Sequence, residues 1–119
     1  MSRTLHPTQA AYLAARAHLD TLRADLAAIA PKCPDTDDNA VLDAYEDVYE
    51  ACRETLGMAR AESALVAAET AVILWSLDEA AKVAKTDEAR AALDVCRERG
   101  LKSWKFRPRM LDTAMRLAA

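Results

Sequence analysis

The sequence predicts an all-α protein: an antiparallel helical bundle of four to five helices, built around a long central helical tract, residues 35–85. The 119 residues are rich in alanine and include only two glycines and four prolines. Apolar residues recur at alternating spacings of three and four along most of the chain, and no segment alternates as a half-buried strand does. The length fits a single domain, residues 1–119, with a modest core.

The first helix is predicted from about Pro7 to Ala30. Thr4 or His6 can cap it, Pro7 suits a first helical turn, and Pro31 ends it. A partner helix should lie along its inward face, and a short turn before the central tract makes that partner the start of the tract. The inward face consists of Tyr12, Ala15, Leu19, Leu22, Leu26 and Ile29.

The central tract begins after Pro34, where Asp35, Thr36 and Asp37 are all suitable N-caps. One apolar face runs along its whole length, and a second appears after Gly57, so the second half should form the centre of the core. The first face consists of Leu42, Tyr45, Tyr49, Cys52, Leu56, Ala59, Ser63, Val66, Thr70, Ile73, Leu77 and Ala80. The second consists of Met58, Ala61, Leu65, Ala68, Val72 and Trp75.

Gly57 leaves two geometries open. The favoured one is a continuous or merely kinked helix, because no polar loop is present, no N-cap appears before Ser63, and one glycine costs only about 1 kcal/mol in a helix. It would give a rod of about 75 Å, whose exposed apolar surface self-association as a two-fold dimer would cover. The other geometry is a turn, since Gly57 followed by Met58 resembles a helix-ending glycine with its apolar partner.

Two shorter helices are predicted after the tract. Thr86 begins a helix over residues 87–99, and Gly100 should follow it as the C′ cap, with Leu101 as its hydrophobic partner. Pro108 is well placed at the start of a last helix, residues 108–117, which is short enough to depend on docking for its stability.

The C-terminal segment, residues 97–116, is the first candidate site. It carries seven lysines and arginines against two acidic residues. Cations interleaved with aromatic rings are suited to phosphates and exposed bases. Two other interpretations stay open: the rings fill the end of the bundle, or the segment pairs with the acidic face over residues 35–54 in the same or another subunit. The candidate nucleic-acid-binding residues are Lys102, Trp104, Lys105, Phe106, Arg107 and Arg109.

A second candidate is a metal site at the start of the central tract. Carboxylate and amide side chains occupy positions 1, 3, 5, 9 and 12 of a calcium-loop pattern. The pattern requires glycine at position 6, where this chain has Ala40, and capping explains the same acidic residues. The candidate ligands are Asp35, Asp37, Asn39, Asp43 and Glu46.

A third candidate is an interface or cleft on the second half of the tract. A carboxylate in apolar surroundings is costly unless it is paired or protonated, so two glutamates there either line a cleft or face solvent on a narrow polar strip. The residues concerned are Glu62, Leu65, Glu69, Val72 and Trp75.

The cysteine spacing and the apolar segments limit the kinds of site and the location that the sequence allows. The three cysteines form no C-x-x-C pair, which argues against a zinc or thioredoxin-like site and is typical of free thiols in a reducing cytoplasm. No signal segment is evident, and the most apolar run, residues 64–77, is too short to cross a bilayer.

The sequence therefore favours a non-catalytic, self-associating interaction or regulatory module of the cytoplasm, without a cofactor. The expected partner is a second copy in a dimer, or another protein. Two alternatives remain: a nucleic-acid-binding protein using residues 97–116, and a metal-dependent all-α hydrolase using helix-borne carboxylates.

Overall fold

A computed structural model describes residues 4–119, and these form five α-helices and one 3₁₀ turn, with no β-strand among them. The helices pack against one another, so the predicted fold class, an all-α helical bundle, is confirmed. The helices are α1 (Pro7–Ile29), α2 (Asn39–Leu56), α3 (Met58–Val83), α4 (Asp87–Glu98) and α5 (Arg107–Arg116). The 3₁₀ turn, Gly100–Lys102, lies between α4 and α5.

The helices are distributed over two compact units. Residues 15–65 form one unit, and the described part of residues 1–14 forms the other together with residues 66–119. Helices α1 and α3 each contribute residues to both units. Whether the chain behaves as one domain stays a prediction.

The start of α1 is capped by His6, one of the two predicted caps. Its Nδ1 accepts a hydrogen bond from the Thr8 backbone N–H at 3.2 Å, and its own backbone N–H donates to Gln9 Oε1 at 2.9 Å. This reciprocal pairing resembles a capping box, in which cap and third helical residue satisfy each other's donors. The His6 ring also stacks on Trp75, with ring centroids 4.2 Å apart, so α1 begins against α3.

Gly57 ends α2, and the predicted continuous helix is wrong. Gly57 adopts the left-handed conformation (φ 69°, ψ 34°), and its N–H donates to the carbonyls of Arg53 and Glu54. The Gly57 carbonyl accepts from Ala61 N at 3.1 Å, so α3 starts at once and no polar loop is needed. The chain folds back here, because the Arg53 guanidinium hydrogen-bonds Glu62, nine residues further on. A continuous helix would place these residues about 13 Å apart along its axis. A long exposed rod, which would have favoured a dimer, is therefore not present in the described chain.

Because of the turn at Gly57, the first turns of α3 bury a different face from the one that continues the apolar face of α2. In its first turns α3 buries Met58 and Ala61, of the second predicted face, whereas Val66 of the first face is 55% exposed. The core of the 15–65 unit consists of Leu19, Leu26, Met58 and Ala61. Partly buried residues packed against it are Leu22, Ala30, Tyr49, Cys52, Leu56 and Leu65. The buried apolar residues of the other unit are Tyr12, Val72, Ile73, Leu77 and Ala114.

Thr86 caps α4 as predicted, accepting from Ala89 N at 3.1 Å. Gly100 follows the C-cap Arg99, as predicted, but without the left-handed conformation usual for a C′ glycine, since Gly57 is the one residue with positive φ in the described chain. Gly100 instead opens the 3₁₀ turn and is buried beneath Met110, whose Sδ would lie 2.8 Å from a Cβ added there. A close approach of α5, rather than an unusual φ, explains this glycine.

No helix within residues 4–119 combines the length and the apolar character needed to cross a membrane.

Candidate functional site

The segment between α4 and α5 exposes its two aromatic rings. Trp104 is 87% exposed and Phe106 is 50% exposed, so Trp104 does not fill the end of the bundle. The Lys105 Nζ lies 5.9 Å from the centroid of the Phe106 ring, a weak cation–π contact. Large exposed aromatic side chains are enriched where proteins contact partners.

Arg107 has a structural role. Its guanidinium donates to the Leu101 carbonyl (3.1 Å), the Val66 carbonyl (3.1 Å) and Thr70 Oγ1 (2.8 Å), and it pairs with Glu69 at 3.5 Å. These contacts hold the 3₁₀ turn and the start of α5 onto α3. Of the six candidate nucleic-acid-binding residues, Arg107 is therefore the least available to a ligand.

Two apolar clefts adjoin at α5. The α3–α5 cleft has a volume of about 650 Å³ and includes Leu77, Ala80 and Val83 of α3 in its lining. The α4–α5 cleft has a volume of about 450 Å³ and includes Val95 of α4 and Phe106 in its lining. Arg109 and Met110 line both clefts, and the two together are called the α5 groove.

Among the described residues, the α5 groove is lined by two unpaired arginines and by one carboxylate, Glu79, which pairs with Lys82 at 2.7 Å. Arg99 and Arg109 are exposed and form no ion pair within residues 4–119. Two nearby arginines are already neutralised: Arg97 pairs with Asp78 at 2.6 Å and Arg116 pairs with Asp112 at 2.5 Å. The groove thus combines an apolar floor with two cations that have no acidic partner in the described chain. Phe106 and Arg109 are the groove residues that the sequence had indicated as candidate binding residues, because the apolar floor forms only when α3, α4 and α5 pack together.

Helix α2 has an acidic surface, opposite in charge to the two unpaired arginines of the α5 groove. It has no buried residue. An exposed apolar stripe runs along it at three–four spacing, bordered by carboxylates on its acidic face. The stripe consists of Val41, Ala44, Val48 and Ala51. The acidic face includes Asp43, Glu46, Asp47 and Glu54, none of which forms an ion pair within the described residues.

The predicted calcium loop does not form. Helix α2 already begins at Asn39, the fifth position of the pattern, so Asp43 and Glu46 lie on a regular helix and cannot wrap around an ion with Asp35 and Asp37. No three histidine, cysteine, aspartate or glutamate side chains in residues 4–119 are arranged to hold a metal ion. The actual N-cap of α2 is Asp38, which accepts from Ala40 N at 2.9 Å; sequence analysis had proposed its neighbours.

The five candidate interface or cleft residues each have contacts within their own unit. Glu62 pairs with Arg53, Glu69 pairs with Arg107, and Val72 is fully buried. Leu65 packs on the core and Trp75 stacks on His6. The first two of the set, Glu62 and Leu65, belong to the 15–65 unit, and the remaining three to the other unit.

A third cavity, of about 520 Å³, lies within the 15–65 unit between the end of α1, α2 and the start of α3. Tyr45, Tyr49, Arg53 and Cys33 are among its lining residues. Partial burial, with Cys33 and Tyr49 nearby, raises the pKa of Tyr45 above its usual value. The hydrogen bond to Glu62 raises the pKa of Arg53, so this cation is already paired within the chain.

Comparison of the chain with protein-family models, with curated proteins and with solved structures gives no match.

Proposed function

We propose that this chain is a non-catalytic protein-interaction module that binds an acidic amphipathic helix in the α5 groove. The observation that supports the proposal best is the pair of adjoining apolar clefts at Arg109 and Met110, with unpaired cations at their rim. A reducing compartment such as the cytoplasm would keep Cys33, Cys52 and Cys96 as the free thiols found here.

The proposed binding mode follows from the chemistry of the groove. An amphipathic helix binds a hydrophobic groove through apolar anchors at i, i+3 or i+4, and i+7. Two adjoining clefts can receive two such anchors on either side of Met110. Acidic residues beside the anchors would face Arg99 and Arg109, which favours an acidic partner, excludes basic ones and accelerates association.

The test is binding of a fluorescent acidic peptide of about three heptads, with leucine at the a and d positions and glutamate at the exposed ones. We expect saturable binding by fluorescence anisotropy. The double variant Arg99→Glu/Arg109→Glu should weaken binding at least about tenfold, because two attractive rim charges become repulsive.

The matched control is Arg16→Glu/Arg60→Glu, which makes the same charge change at two exposed arginines of the 15–65 unit that form no ion pair within the described chain. This control should bind the peptide like the parent. Equal weakening by both double variants would mean that net charge, not the groove, controls binding, and would contradict the proposal.

Nucleic-acid binding is the second candidate, and the exposure of Trp104 beside Lys105 favours it. It predicts that single-stranded oligonucleotides bind with an affinity that falls steeply with salt. Replacing Lys102 and Lys105 by glutamate should then reduce the slope of log K against log salt by roughly 0.7 per lost phosphate contact. Trp104→Ala should remove stacking, which is worth about 1–3 kcal/mol per base. An affinity that neither change alters would exclude this candidate.

A further inference from the structure

We infer that the helix held by the α5 groove is α2 of a second copy of this chain. The inference rests on the proposed function and names its partner. Three properties of α2 support it: its exposed apolar stripe, the unpaired carboxylates beside that stripe, and its position on the surface of its own chain.

The stripe of α2 has the pattern that a groove-binding helix requires. Val41, Ala44, Val48 and Ala51 follow the i, i+3, i+7 and i+10 positions and therefore share one face. Val41 is 42% exposed and Val48 is 49% exposed, although both are branched apolar residues that burial would stabilise. The packing of α2 within its own chain leaves this face uncovered.

The charges beside the stripe are complementary to those of the groove. Asp47 and Glu54 border the stripe on its acidic side, one helical repeat of seven apart, and form no ion pair in the described residues. Arg99 and Arg109 at the groove rim likewise form none. Docking α2 in the groove of another copy would bring unpaired carboxylates to unpaired guanidinium groups and cover apolar surface on both sides.

Most of the net positive charge lies in one segment of the sequence, and the net negative charge lies in the rest. Residues 97–116 carry seven cationic and two acidic residues, while the whole chain has a net charge of −3. The remainder of the chain is therefore strongly acidic, and the basic surface of one copy attracts the acidic surface of another. The two surfaces differ, so a two-fold dimer forms the contact twice, once in each direction, whereas a head-to-tail arrangement that does not close extends into larger assemblies.

Charge exchange between two variants of the 119-residue chain tests the inference. The groove variant is Arg99→Glu/Arg109→Glu, and the helix variant is Asp47→Lys/Glu54→Lys. In either variant the groove rim and the two positions that border the stripe have the same sign, so we expect each alone to be monomeric by light scattering at concentrations where the parent associates. An equimolar mixture restores opposite charges at both contacts and should associate again. Circular dichroism of each variant establishes that the fold is retained.

Each outcome has a distinct meaning. Association of the mixture but of neither variant alone supports the inference. A parent that stays monomeric up to about 1 mM overturns it, because any self-association would then have a Kd above about 1 mM. An association of the parent that charge reversal leaves unchanged also overturns the inference.

Peptide binding by the helix variant separates the two proposals, because this variant keeps the native groove. If it binds the peptide while the mixture stays monomeric, the groove function stands and the second copy is not its partner. If the helix variant does not bind the peptide and the mixture stays monomeric, both proposals fail.

Discussion

Replacing Gln9 by alanine is expected to destabilise the protein by about 2–4 kcal/mol. The Gln9 side chain is fully buried. Its amide nitrogen donates to the Ala114 and Leu117 carbonyls, both at 2.9 Å, and its oxygen accepts from the His6 backbone N–H. The substitution removes all three hydrogen bonds and leaves a cavity where α1 meets the end of α5. Chemical denaturation followed by circular dichroism measures the loss.

A second substitution separates the hydrogen bonds from the packing. Gln9→Leu fills most of the volume but cannot donate to the two carbonyls, so it should recover only part of the stability. Full stability in Gln9→Leu would show that the hydrogen bonds contribute little and that packing alone fixes this contact. The expected order of stability is parent, then leucine, then alanine.

Replacing Gly57 by alanine is expected to destabilise the protein by about 1–2 kcal/mol, because an L-residue in the left-handed conformation places its Cβ too close to the following carbonyl oxygen. Nothing else opposes the change, since an added Cβ at Gly57 would meet no other atom within 4 Å. Gly57→Asn should be less destabilising, as asparagine tolerates this conformation better than other residues.

The sign of this effect distinguishes the two geometries that the sequence left open. In a continuous helix, glycine to alanine would stabilise by about 1 kcal/mol, through the higher helix propensity of alanine. Thermal denaturation of the alanine variant therefore separates a turn from a rod by direction alone. A raised melting temperature would contradict the turn.

The local structure of the helices could be predicted from sequence because caps and periodicity are local properties. Thr86 is the N-cap of α4, and Pro7 and Pro108 lie in the first turns of α1 and α5, the positions that suit these residue types. The backbone geometry at Gly57 could not be predicted in the same way, since a glycine between two helical segments permits both a helix and a turn. Contacts distant in sequence, such as that between Arg53 and Glu62, decide between them.

The candidate site was predicted less well than the fold. Arg109 was selected for its charge, but the apolar floor beneath it depends on how α3, α4 and α5 pack. Arg107 looked equivalent to Arg109 in sequence, yet its neighbours on α3 make it structural. The acidic residues before and within α2 resembled a calcium loop; Ala40 at the glycine position already argued against it, and the helix that begins at Asn39 excludes that geometry.

Backbone amide chemical shifts of the ¹⁵N-labelled helix variant, titrated with the acidic leucine peptide, test the central claim most directly. We predict that shifts change around the α5 groove, at Val95, Phe106, Met110 and Thr113, which line its clefts. Amides beside Tyr45 and Tyr49, in the cavity of the 15–65 unit, should remain unchanged. Shift changes confined to that cavity, or none at the groove, would contradict the assignment of the α5 groove as the site that binds an acidic helix.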